Sequence, residues 1–254
     1  MKRNLYTQSG QTLPSALIAA LRSAVTLWCI AFTANVCLAQ PIAETDFGTV
    51  NVVSLHDLQH RIPKPALKAF SLALKAMGKR DYESAVIQLE KSVTIDPEFY
   101  QAHNNLGVMY VYQNRSPLAI EHFEKAAVMN PRAPYIQRNL AVAYLVQGEF
   151  KASERTARRA LDLDPSRPIN SLVLGAALLM QNRLTSETER SLRKAAPTFP
   201  QADLWLAGAY FERGDESAAR EFLSRYLDAR DTDTSRVEIA KNLARRLGVS
   251  PQGQ

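Results

Sequence analysis

Small and large apolar residues recur at three- and four-residue steps along most of the chain, and the whole pattern repeats every 34 residues. In rows of that length, Ala73, Gly107, Ala141 and Gly175 share one column, and Ala76, Tyr110, Tyr144 and Leu178 share another three places on. Ala85, Ala119 and Ser153, then Leu89, Phe123 and Ala157, then Ser92, Ala126 and Ala160 form three further columns. Steps of three and four put these positions on one face of a helix. Small residues let two helices approach, and their large neighbours fill the space between them. The pattern predicts two helices per row joined by a short turn, with the rows stacked side by side.

Proline and glycine punctuate the rows. Pro97, Pro131 and Pro165 stand 34 residues apart, and Pro200 follows at 35. Asp96, Asn130 and Asp164 precede the first three; a residue before proline is pushed out of the α region, so each pair ends one helix and begins the next. Gly148 and Gly214 fall at mid-row bends, where a positive φ is often needed. Ser116 followed by Pro117 reads as an N-cap with proline at the first helical position. Near the C-terminus, Ser235 and Glu238 read as a capping box. Val237, Ala240, Leu243, Ala244 and Leu247 then form an apolar stripe ended by Gly248, with Arg236, Lys241, Arg245 and Arg246 on a solvated face.

These columns resemble the tetratricopeptide repeat (TPR). The likeness is closest from Asn105 to Tyr110, from Ala119 to Ala126, and at Asn130-Pro131. It implies an all-α, right-handed α-solenoid of five hairpins over residues 66–233: rows 66–99, 100–133, 134–167, 168–199 and 200–233. A capping helix over 234–248 and a tail, 249–254, follow. Stacking is what makes such rows stable, since one hairpin cannot bury its own apolar face. The fourth row carries an extra residue near Thr185 to Glu187. The fifth departs at Tyr226, where a small residue is usual, which leaves its outer packing open.

The 254 residues carry 31 basic and 25 acidic side chains, a net charge of +6. Lys2, Arg3 and Arg22 precede Gln40 without any acid, so the rest of the chain is only +3. That balance gives no support to a nucleic-acid partner. Residues 1–39 read as an export signal, with basic residues, an apolar run and Cys37-Leu38-Ala39 at its end. The run from Leu13 to Leu38 is also long enough for a membrane anchor, and a lipid on Cys37 is a third possibility. The first two readings place the rows outside the cytosol, periplasmic or secreted, because the cations would stay inside. Residues 40–65 read as an arm packing on the first row or the groove, with an alternating stretch from Thr49 to Val53 and a helix from Ser54 to Ile62.

The chemistry-bearing residues are sparse. His56 and His60 lie four apart, a spacing that could share a metal on a helix, yet no third ligand is evident and no metal or other cofactor is expected. His103 and His122 fall on packing or surface sites of the repeat and read as structural. There is no phosphate loop, nucleophile elbow or HExxH, and the carboxylates are dispersed, so the expectation is a non-catalytic chain. By the TPR resemblance the first helix of each hairpin lines a concave groove. Here that lining comprises Phe70, Leu74, Asn104, Asn105, Val108, Tyr112, Tyr135, Arg138, Asn139, Val142, Leu172, Ala176, Leu204, Trp205 and Phe211. This apolar and aromatic surface is the expected site for a segment of another protein. The sites matching the family's carboxylate clamp are Phe70, Leu74, Asn105, Arg138 and Val142, which lack its charges, so a free carboxylate is not the expected ligand. A second expectation is self-association, with Tyr226 and the C-terminal stripe joining another copy.

Overall fold

The computed structural model describes residues 60–249, and among these every regular element is an α-helix. The helices are α1 (Lys64–Gly78), α2 (Tyr82–Ile95), α3 (Tyr100–Tyr112), α4 (Ser116–Met129), α5 (Pro134–Gln147) and α6 (Phe150–Leu163). They continue with α7 (Pro168–Met180), α8 (Ser186–Ala195), α9 (Gln201–Arg213), α10 (Glu216–Asp228) and α11 (Thr234–Leu247). Consecutive helices pair as hairpins, each second helix packs on the next row's first, and α11 closes the far end against α10 and α9. The export segment, the stretch from Thr49 to Val53 and His56 lie outside the described residues. The helix expected from Ser54 to Ile62 does not extend through His60 to Ile62, which are non-helical.

One turn motif closes every hairpin. Arg80, Asn114, Gly148, Asn182 and Gly214 all take positive φ, between 57° and 86°. The following amide then reaches back to the helix: Asp81 to Ala76, Arg115 to Tyr110, Glu149 to Tyr144, Arg183 to Leu178 and Asp215 to Tyr210, at 2.8–3.0 Å. These bonds satisfy carbonyls that a helix end leaves open. Sequence reading found this column only where it holds glycine. At Arg80 the side chain bears the cost of φ 60°, so Arg80→Gly is expected to raise the melting temperature slightly.

The small columns work as expected. A Cβ on Gly107 would stand 2.8 Å from the Phe123 ring, and one on Gly175 would stand 2.5 Å from Leu192. Ser92 and Ser153 turn their hydroxyls onto the carbonyls of Ala66 and Ala141 at 3.0 and 2.8 Å. Two capping expectations are corrected. Arg115, not Ser116, occupies the N-cap of α4, without a side-chain bond, and Ser116 is a buried first-turn residue. Asp233, not Ser235, caps α11 by accepting from the Arg236 amide at 3.0 Å.

The C-terminal end differs most from expectation. Tyr226 is fully buried, and its hydroxyl donates to Asp231 at 3.0 Å. Arg236 lies under the cap rather than on a solvated face, 9% exposed, and binds the same carboxylate through Nε and, at 2.7 Å, through Nη2. Burial opposes ionisation of Asp231, but the Arg236 bonds win and hold its carboxyl below the usual range. Tyr226, Leu243 and Leu247 are thus occupied inside the protomer, and they are not the surface that would join a second copy.

Candidate partner-binding groove

First helices of neighbouring rows touch along α3, α5 and α7. The array therefore curls toward them, and they form its inner wall. On that wall lies an asparagine ladder. Asn139 Nδ2 donates to Asn104 Oδ1 at 3.0 Å, and Asn104 Nδ2 donates to Asn105 Oδ1 at 3.2 Å. Asn105 Nδ2 is buried and has no acceptor among the described residues.

The broad apolar groove expected from sequence is narrower in the structure. Phe70, Asn104, Asn105, Val108, Arg138, Val142, Leu172 and Trp205 are buried, as are Ala176 and Leu204. Tyr112, Tyr135, Asn139, Phe211 and Leu74 stay half-exposed. The physical reason is the close winding of the rows. Val108 shares a core with Leu140, Val142 with Val173 and Leu174, and Leu172 with Leu204 and Trp205. Phe70 packs on Phe99, ring centroids 4.8 Å apart. Of the half-exposed aromatics, Tyr112 stacks on Tyr82 at 5.1 Å and Phe211 lies under Arg246 at 4.5 Å. Tyr135 and Asn139 stand one turn apart on α5 and so share a face. The Trp205 indole N–H is buried without an acceptor among the described residues.

Two polar columns behind the wall escaped sequence reading. Tyr110 donates to Glu90 at 2.8 Å, Tyr144 donates to Glu124, and Tyr210 donates to Glu189 at 2.6 Å. Each bond ties a first helix to the second helix of the row before. Burial and the carboxylate partner push each of these phenols up to about 12. In the fourth row Leu178 replaces the tyrosine and Arg158 stands where the glutamate would. Arg158 turns instead to Glu154 at 2.8 Å and to Glu187 at 2.9 Å, the latter on the irregular stretch. Arg183 and Gln181 also bind Glu154; against the effect of burial, these bonds lower its carboxyl to about 2. The signal was present as a tyrosine and a glutamate 20 residues apart in two successive rows.

The second column is the fourth place of α3 and α5. His103 Nε2 donates to the Pro97 carbonyl at 3.1 Å, and Gln137 repeats the bond to Pro131 at 3.4 Å. With its proton on Nε2, neutral His103 presents a bare Nδ1, which accepts from His122 Nδ1–H at 2.9 Å. Burial lowers the affinity of both rings for a second proton, and for His122 to about 4. The unfolded chain titrates near 6.5, so it binds more protons than the folded one between those values. The melting temperature is expected to hold above pH 6.5 and to fall as pH drops from 6.5 toward 4. The double variant His103→Gln, His122→Asn should flatten that slope between pH 6.5 and 5; an unchanged slope would remove the pair as its source.

His60 is held by protein groups: Nε2 meets the buried Asp96 carboxylate at 2.8 Å, and Nδ1 meets Glu98 at 3.2 Å. No cluster of three or more metal-ligating side chains is found among the described residues.

The repeated columns are also the basis of the family assignment. A tetratricopeptide-repeat family model matches residues 70–134, 110–168, 138–201 and 189–234. The chain belongs to the tetratricopeptide repeat family. TPR proteins act generally as protein-interaction scaffolds and are typically non-catalytic. Among curated proteins none matches the sequence. Similar solved TPR structures include PilW, a widely conserved type IV pilus biogenesis factor, with TM-score 0.64 and 22% identity over 73% of this chain and 87% of that one. PilF of Pseudomonas aeruginosa matches with TM-score 0.59 and 19% identity, covering 73% of this chain and 85% of its own. MamA matches with TM-score 0.60 and 20% identity, covering 65% and 92%. At these identities the likeness is one of fold.

Proposed function

We propose that this TPR chain is a non-catalytic scaffold working outside the cytosol, holding an amphipathic segment of another protein in its concave groove. The observation that carries the reading is the half-exposed face of α5. Tyr135 and Asn139 offer a half-exposed ring and an amide on one helix face. Such a pair suits a partner that presents an apolar side chain beside its own main chain. The export reading of residues 1–39 supports the location. PilW, whose fold is similar, is a type IV pilus biogenesis factor.

Tyr135→Ala with Asn139→Ala is the test. Partner capture should be lost while helicity stays near the parent, since neither side chain is buried; the melting temperature should drop modestly, because Asn104 loses the bond from Asn139. Retained capture would move the site elsewhere on the array. Trp205→Ala is a poor probe, because removing a buried indole costs about 3–5 kcal/mol by itself. The mass of the chain from its native host decides the location: a start at Gln40 marks a cleaved signal, and a retained segment marks an anchor.

A further inference from the structure

The two ends of the array are unlike. At the C-terminal end α11 covers the last hairpin. At the other end, Leu72 of α1 occupies the place that Leu106, Leu140, Leu174 and Leu206 hold in later rows. Those four are 0–5% exposed, whereas Leu72 is 42% exposed and Leu67 beside it 44%. The difference arises because each later leucine packs on the preceding row, and among the described residues α1 has no such row before it. The outward arc of α1 together with its C-cap is Lys64, Leu67, Lys68, Ser71, Leu72, Lys75 and Lys79, all exposed. It holds four lysines and no acid. Lys64, Lys68 and Lys75 join no ion pair among the described residues. Asp81, the nearest acid in sequence, is engaged as the α2 cap through the Ser84 amide at 3.1 Å. The opposite arc, Ala66, Ala69, Phe70 and Ala73, is buried in the first hairpin.

We propose that this end face docks on an anionic lipid surface. The charges are lysines, flexible point charges without the fork that reads one carboxylate, and they stand on the outward side of one helix. Two exposed leucines between basic residues match the make-up of helices that lie in the headgroup region. A second copy would bring lysine against lysine. The approach is also favoured by sequence: the apolar run from Leu13 to Leu38 precedes α1, so wherever that run enters a bilayer its tether brings α1, not α11, toward the lipid. The docking leaves the α5 face available, and so does not depend on the groove reading.

The test places an environment-sensitive dye on Ser71→Cys in the full chain, with Cys29→Ser and Cys37→Ser removing the other thiols. The chain is reconstituted in vesicles of phosphatidylcholine alone or with a third phosphatidylglycerol. A blue shift is expected only with the anionic lipid, reversed by high salt, and absent from a dye on Ser224→Cys in α10. Charge reversal by Lys64→Glu, Lys68→Glu and Lys75→Glu should reduce the docked fraction at least ~100-fold, each near-surface lysine contributing ~5-fold. These exposed changes should leave the melting temperature unaltered. Three results would overturn the proposal. An equal shift in both vesicles would assign it to the apolar run. A shift that grows with protein concentration and needs no lipid would assign the face to a second copy. A response to polyglutamate but not to vesicles would assign it to an acidic protein.

Discussion

Arg236→Ala is expected to destabilise the array by about 3–5 kcal/mol, the usual result of removing one partner from a buried ion pair. The change strands the Asp231 carboxylate, whose side chain is 5% exposed, beside the buried Tyr226 hydroxyl. With both groups short of a cation, α11 should loosen first, uncovering Tyr226, Leu243 and Leu247 of the terminal core. Hydrogen exchange should therefore rise in α10 and α11 before it rises in α3. Arg236→Ala combined with Asp231→Ala should recover part of the loss, because the uncompensated charge is gone. A single variant that melts like the parent would mean that the pair is not what fastens the cap.

Gly107→Leu should cost about 1–3 kcal/mol by overpacking the second hairpin. Even the first added carbon would stand 2.8 Å from the ring of Phe123, which is 1% exposed and has little room to retreat. Coupling supplies the decisive control. Gly107→Ala should be costly with Phe123 in place and less costly in a Phe123→Leu background, where the ring is absent. Additive effects in the two backgrounds would refute the close contact. Gly175 faces Leu192 more tightly, at 2.5 Å, but a leucine side chain can rotate away more readily than a ring seated in the core.

The repeat was legible because each column has one physical job. A small residue that admits a ring, a large residue that fills, and a proline that ends a helix all leave marks in composition. Jobs that several residue types can do left weaker marks. The positive-φ turn accepts Arg80 and Asn114 as well as Gly148, so only the glycines announced it. Tyr226 looked like a breach of pattern, but the terminal row has no following hairpin and needs a larger residue to meet α11. Arg236 looked solvated because helix periodicity reports which face a residue is on and not what the preceding loop brings to it; Asp231 was the missing information. The groove was overestimated for a similar reason. Its residues were placed on the correct helices, but how tightly neighbouring rows wind depends on contacts between rows, such as Leu172 with Leu204 and Trp205, that no single helix pattern contains.

On the proposed function, a partner segment lies in the concave face. Its most direct test is a photo-crosslinking residue at position 135 on α5, compared with one at position 128, where Val128 is 82% exposed on α4. In the full chain in its native host, position 135 should capture a discrete protein that position 128 does not. Capture from 128 alone, or equally from both, would contradict the groove as the binding site.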